Sequence, residues 1–349
     1  MAVRLDASDE HLHELGPEPN FNESMYVNCF DPRQGVGGWF RTGNRANEGY
    51  AEMSVCLYLP PHEDGENESR QVAFQFRRPE ISDNRALDAG GLTWTMVTPF
   101  EELRIDYRGK VLLLDEPEQM ADPRAAFAAN PFEEAEVHLT FTGQGRSSMF
   151  GGEPDRSHEA PGEEFAKGHY EQLVEGRGTI RVGEREWQVD GFGLRDHSWG
   201  PRSWQAPWYY RWLTANVDRD LGFMASRVAR RDGPGTRGGF VWEDGELHLC
   251  DDVEIETTTR GDESYHDRIE GVLRSRRSER EWRFTGEVIS LIPLRNRRPT
   301  PDGEWLHTRI SEAYTRWTVR SATQADRVGF GMSEYLDQMI DDQPVGLAE

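Results

Sequence analysis

Apolar and polar residues alternate with a period of two along most of the chain. In Ala51–Leu59 one face reads Ala51, Met53, Val55, Leu57 and Leu59. In Gln71–Phe76 it reads Val72, Phe74 and Phe76, and in Leu92–Thr98 it reads Leu92, Trp94 and Met96. Alternation in short runs bounded by Gly, Pro, Asn and Asp predicts half-buried β-strands. Leu103–Tyr107, Val111–Leu114 and Val137–Thr142 continue the pattern. Thr179–Val182 and Arg185–Val189 flank Gly183-Glu184, a two-residue hairpin loop with glycine at its first central position. Long runs follow at Trp208–Val217, Leu221–Ala229, Phe240–Leu249, Val253–Thr258, Arg268–Arg274, Trp282–Ile292, Trp305–Thr318 and Val328–Leu336. Only Glu116–Ala129 reads as helical, and Pro123 interrupts it. Gly151–Gly168 is polar and rich in Gly, Pro and charge, and reads as a long surface excursion.

About eight strands thus fall in each half. With so little helix and so many turn residues, the pattern predicts an all-β chain of two tandem antiparallel β-barrels. Eight-stranded barrels have room for one small apolar ligand. The expected organisation is a tail over 1–19, a first barrel over 20–185 and a second over 186–345.

Composition narrows the function. The 63 acidic and 40 basic residues among 349 give a net charge of −23. That excludes an electrostatically driven nucleic-acid binder or a protein held on anionic lipid, since both need basic surfaces. No apolar run approaches the length of a membrane-spanning helix. Met1–Asn20 carries Asp6, Asp9, Glu10 and Glu14 without an apolar block, so it does not read as a secretory signal. Cys29, Cys56 and Cys250 are too few and too scattered for a disulfide framework, which makes a reducing cytoplasm the expected compartment.

Chemistry-bearing residues concentrate in Asp190–Tyr210. Arg195, Asp196, His197, Trp199, Arg202, Trp204, Trp208 and Tyr210 fall within this short span, with Trp212 just beyond. Gly191, Gly193, Gly200 and Pro201 predict a bent backbone, as a site at a barrel mouth requires. Asp196-His197-Ser198 is not a serine-hydrolase triad, because neighbours on an extended chain point to opposite sides and no GxSxG is present. The alternative for the segment is a plug between domains, with Arg195 paired to an acid and the tryptophans buried.

His169-Tyr170-Glu171-Gln172 and Gly193-Leu194-Arg195-Asp196-His197-Ser198-Trp199-Gly200-Pro201-Arg202 resemble a bacterial group of tandem lipocalin-like proteins. That group is distantly similar to hydroxyneurosporene synthase (carotenoid 1,2-hydratase), to AttH-like proteins and to fungal Diels–Alderases. Asn22-Glu23-Ser24-Met25-Tyr26 and Gly331-Met332-Ser333-Glu334-Tyr335 fit the same group, so the resemblance spans roughly 20–340. It implies two lipocalin-like barrels. Its relatives hydrate alkenes, cyclise polyenes or have no assigned activity. Ser198-Trp199-Gly200 departs from the pattern of the carotenoid hydratases, which argues against carotenoid as the substrate.

A second constellation comes from alternation alone. Leu306, Thr308, Ile310, Glu312 and Tyr314 share one face of their strand, and Val328, Phe330, Met332, Glu334 and Leu336 share one face of the next. A hairpin around Thr323 brings Glu312 and Glu334 together across the ladder. Pointing into an apolar barrel, two such carboxylates would share a proton and supply a general acid. The alternative is a structural ion pair, with Arg195, Arg202, Arg309 or Arg316 neutralising each glutamate.

Other signals are weak. His11 and His13 lie in the polar tail and read as solvated. His248 and Cys250 offer two metal ligands where three or four are needed. Gly35, Gly37 and Gly38 lack a following helix, and Gly191-Phe192-Gly193 lacks the third glycine of a dinucleotide fingerprint. No cofactor and no metal are therefore expected. The expected function is cofactor-independent acid/base chemistry on a C=C bond of a lipophilic small molecule that is isoprenoid-, steroid- or polyketide-like. Asp196, His197, Glu312 and Glu334 are the candidate catalytic groups. Asp196 is the acid with His197 orienting it, and Glu312 and Glu334 are the rival acids. Arg195, Trp199, Arg202, Trp208, Tyr210 and Trp212 are the candidate substrate-binding residues. The alternative function is a non-catalytic carrier of a hydrophobic molecule.

Overall fold

The computed structural model describes residues 5–60, 71–143, 149–152, 166–232, 234–299, 305–321 and 325–348. The chain divides into two compact units, Met1–Asp115 with Phe127–Ser203, and Glu116–Ala126 with Trp204–Glu349. The division falls after Ser203 rather than at 185/186, because the Arg185–Pro201 strand pairs along its length within the first unit.

The first unit holds β1 (Phe21–Asp31), β2 (Val36–Arg45), β3 (Tyr50–Leu59), β4 (Gln71–Arg77), β5 (Asp88–Ala89), β6 (Leu92–Thr98), β7 (Glu102–Leu114), β8 (Phe132–Gly143), β9 (Met149–Gly152), β10 (Gly168–Val182) and β11 (Arg185–Pro201). They form one antiparallel sheet in the order β4-β3-β2-β1-β11-β10-β8-β7-β6-β5. A further ladder, Val72↔Leu114 to Phe74↔Leu112, joins β4 to β7 and closes the sheet on itself. The alternating residues of the sequence fill the interior: Met53, Val55, Leu57, Trp94, Ile105, Val137, Leu139 and Val189 belong to one core.

The second unit holds β12 (Tyr209–Asn216), β13 (Leu221–Ala229), β14 (Thr236–Glu243), β15 (Glu246–Cys250), β16 (Asp252–Arg260), β17 (Tyr265–Ser275), β18 (Arg280–Pro299), β19 (Trp305–Ser321), β20 (Arg327–Ile340) and β21 (Gln343–Pro344). The order β15-β14-β13-β12-β20-β19-β18-β17-β16 repeats that of the first sheet, strand for strand, from β4 to β6. Among the described residues no ladder joins its edge strands, β15 and β16. Its core includes Leu213, Phe223, Val241, Phe284, Trp317 and Tyr335.

The expected helix at Glu116–Ala129 is a 3-10 turn, Pro117–Ala121, followed by a short α-helix, Pro123–Ala129, broken where proline lacks the N–H that would continue it. Most of the Gly151–Gly168 excursion and the turn at Thr323 lie outside the described residues. No described helix is long and apolar enough to cross a membrane.

Candidate functional site

Asp190–Pro201 belongs to one continuous strand, and of its glycines only Gly200 takes a positive φ, +107°. Gly191 and Gly193 are there for close packing: a Cβ on Gly193 would lie 1.7 Å from the Asn28 carbonyl oxygen. Where the β1–β11 ladder lapses at this point, Asn28 Oδ1 accepts from the Leu194 amide at 2.9 Å. The strand alternation then separates the motif. Arg195, His197 and Trp199 lie on the core side with Val189, and Asp196 and Ser198 lie on the opposite side. Asp196 and His197 are therefore not partners.

On the core side the N-terminal segment closes the end of the first sheet. The Ala7–Glu10 turn inserts Glu10, fully buried, whose carboxylate accepts from Arg195 Nη1 and Nη2, both at 2.7 Å. Tyr170 donates its hydroxyl to the same carboxylate, and Gln172 accepts from Arg195 Nε. Beside them Glu23 Oε1 lies 2.6 Å from His197 Nε2 and 2.9 Å from His13 Nδ1. Burial pushes the Glu23 carboxyl up, but hydrogen bonds from the two imidazoles outweigh it and hold it at about 2. Burial disfavours the His13 cation, yet Glu23 and Asp9 raise its pKa. The His13 ring stacks on Trp199 at 4.1 Å. The tail expected to be solvated is thus docked, with only His11 of its histidines exposed, because its acids answer charges that the sheet buries.

On the opposite side Asp196 Oδ2 lies 3.0 Å from His169 Nε2, with Glu171 at 3.5 Å from the same nitrogen. Burial pushes Asp196 up, but the His169 hydrogen bond and charge bring it below the usual carboxylate range. That direction favours the carboxylate over the proton donor that the sequence suggested. Arg202 donates to Ser198 Oγ at 3.2 Å.

The second unit assembles four of the expected residues. Trp212 pairs with Glu334 across β12 and β20, and Glu334 pairs with Glu312 across β20 and β19. The three side chains stand in a row on one face of neighbouring strands. Tyr210, on the same face of β12, donates its hydroxyl to Glu334. Glu312 is buried and Glu334 and Trp212 are half-buried. The register matches the hairpin expected from the sequence, but the face does not point into the barrel. Trp317, Val319 and Tyr335 carry the core, so the even-numbered positions of β19 and β20 point away from it. The arginines weighed as their partners are engaged elsewhere in three cases: Arg195 with Glu10, Arg309 with the Glu263 carbonyl and Arg316 with Glu287. Trp208 precedes β12 and lies under the Arg231 guanidinium, 5.2 Å from the ring centre.

Sequence reasoning missed His13, Glu10, Glu23, His169 and Glu171. His13, Glu23 and His197 bring donor atoms within 4.8 Å of one another, as do His169, Glu171 and Asp196, so each set has the ligand types for a divalent metal. The sequence signals for them were the HxE pairing at His169 and Glu171, which places both on one face of a strand, and the presence of Glu23, His169, Glu171, Asp196 and His197 in the motifs that carry the resemblance.

Comparison with curated protein sequences finds no match. Solved structures share the fold. CghA, crystallised with Sch210972, is 14% identical over 91% of this chain and 88% of its own, with a TM-score of 0.56. Kievitone hydratase from Nectria haematococca is 9% identical over 96% and 93%, with a TM-score of 0.59. An AttH-like protein from Nitrosomonas europaea is 12% identical over 96% and 98%, with a TM-score of 0.51. The fold is thus the one that the motif around His197 implied. A family model matches residues 6–339, and the chain belongs to the family described as Domain of unknown function (DUF7064).

Proposed function

We propose that this protein is a cofactor-independent enzyme that moves protons at a C=C bond of a lipophilic small molecule, in a hydration, isomerisation or cyclisation. The observation that carries the reading is the row Trp212–Glu334–Glu312 with Tyr210 on Glu334. Like charges directly opposite on a ladder repel, so the pair is stable when it holds one proton. The surroundings sort the roles. Glu334 is half-buried and accepts from Tyr210, which favours its carboxylate, and buried Glu312 keeps the proton.

Glu312 then protonates an alkene carbon, and the Trp212 face stabilises the developing cation. In a hydration, Glu334 takes a proton from the attacking water, and that proton returns to Glu312 to complete the addition of one H2O. In an isomerisation, Glu334 removes a neighbouring C–H proton instead, and no water is consumed. The shared fold with a protein named a hydratase fits this chemistry.

The test is deuterium uptake. A panel of polyprenyl alcohols, flavonoid enones and polyene esters is incubated with the protein in D2O and read by mass spectrometry. Uptake at a former alkene carbon is expected, and Glu312→Gln lowers it at least about 100-fold. Retention of an unchanged lipid through purification, with no uptake by any panel member, would establish the carrier instead.

A further inference from the structure

A cavity of about 100 Å³ lies on the core side of the second sheet, behind the face that carries Glu312 and Glu334. Arg211, Arg227, Arg309, Asp337, His266 and Tyr335 line it. Three guanidinium groups thus face one carboxylate, in a chain whose net charge is −23. Asp337 is already matched: it accepts from Arg211 Nη1 and Nη2, both at 3.0 Å, and from the Gly346 amide at 2.9 Å. Arg309 is 6% exposed and donates Nη1 to the Glu263 carbonyl oxygen at 2.6 Å and Nη2 to that of Ser264 at 3.5 Å, while its buried Nε has no acceptor. The nearest carboxylate to it, Glu263, is 3.8 Å away and half in solvent.

A buried cation whose donor has no acceptor calls for an acceptor from outside the chain. The rest of the lining says what kind. Ile255 and Leu347 are apolar, and the Tyr335 ring lies flat against His266 at 4.0 Å. Burial and the neighbouring Arg211 push His266 well below the usual histidine range, so this imidazole adds no charge that could answer an anion. The volume is below the roughly 150 Å³ of an engineered cavity that holds benzene.

We propose that this cavity binds a small organic acid, with its carboxylate on Arg309 beside Arg227 and its short apolar body against Ile255, Leu347 and the Tyr335 ring. A carboxylate accepts from the planar guanidinium fork through two oxygens, which fits Arg309's remaining donors. The inference does not rest on the proton-transfer reading, since it uses the other face of the same strands and needs no turnover.

Calorimetric titration of the full-length protein with propionate, propionamide and inorganic phosphate tests it. Saturable binding of propionate, with propionamide and phosphate each at least about tenfold weaker, is the expected result. Arg309→Gln and, separately, Arg227→Gln should each weaken propionate about tenfold or more while the β-sheet circular dichroism stays that of the parent. Propionamide binding as well as propionate would overturn the role of charge. Phosphate binding as well as propionate would overturn the organic acid. No propionate binding, or binding indifferent to both arginine changes, would overturn the site.

Discussion

The two sheets share one strand order and answer a polar interior in opposite ways. In each, a histidine ring stacks on an aromatic ring at one end of the core side: His13 on Trp199 in the first, His266 on Tyr335 in the second. In the first, the surrounding groups are the acids Asp9, Glu10 and Glu23, and the imidazole pKa rises. In the second, they are arginines, and it falls. The first closes its ladder, and the N-terminal turn brings Glu10 onto Arg195. The second leaves its edge strands unpaired among the described residues and retains a cavity whose Arg309 Nε lacks an acceptor. One fold therefore supports an interior whose buried cations are answered by acids of the tail and one in which arginines outnumber the acids around a cavity. The conspicuous motif around His197 belongs to the first.

The largest effect should come from uncoupling the first interior. Glu10→Ala leaves Arg195 buried without its counter-charge and should cost about 3–5 kcal/mol in urea unfolding. Glu10→Leu combined with Arg195→Met should recover most of that loss, since replacing both charges removes the desolvation penalty. A double variant as unstable as the single one would mean that the turn docks by some other contact.

The next prediction uses the opposite histidines. His13 has a raised pKa, so its contribution is present below its unfolded value of 6.5 and is lost as pH rises through the folded value. His266 has a depressed pKa, so its contribution is present above 6.5 and is lost as pH falls below that value. On acidification through about 6.5, amide protection factors, corrected for the slower intrinsic exchange in acid, should fall in the second sheet and not in the first. His266→Gln should reduce the acid sensitivity of the second sheet and leave the part that comes from His248, whose pKa burial and Arg280 also lower. Parallel behaviour of the two sheets would break the comparison. Further down, Glu23, held at about 2, keeps its contribution above its unfolded 4.5 and loses it as pH falls through about 2.

The smallest effect is expected at Asp196. Asp196→Asn removes the His169 ion pair and should lower stability by about 1 kcal/mol, while deuterium uptake stays within about twofold. Loss of uptake in this variant, with Glu312→Gln active, would transfer the acid to the His169–Asp196 pair.

The strands could be read from the sequence because their alternation is long and uninterrupted, while the β19–β20 register could be read only to within a residue or two, from the assumed place of the turn. Counting outward from Thr323 places Glu312 opposite Glu334. Which face is inside could not be read that way. Arg309, Ser311, Ser333 and Asp337 are polar yet line the core side, while Ile310, Met332 and Leu336 are apolar and point away. A barrel with a polar interior inverts the usual code, so alternation gives period without direction. Docking of the tail left only a faint apolar signature, Leu5 and Leu12 against the first sheet's buried clusters, because Glu10 and His13 are held mainly by charge and hydrogen bonds.

The central claim is that Glu312 and Glu334 hold one proton between them. Infrared difference spectroscopy of the parent against Glu312→Gln at pH 7 tests it without any substrate. The account predicts the C=O stretch of one protonated carboxyl in the parent that the variant lacks. A spectrum that differs only by a lost carboxylate band would contradict it.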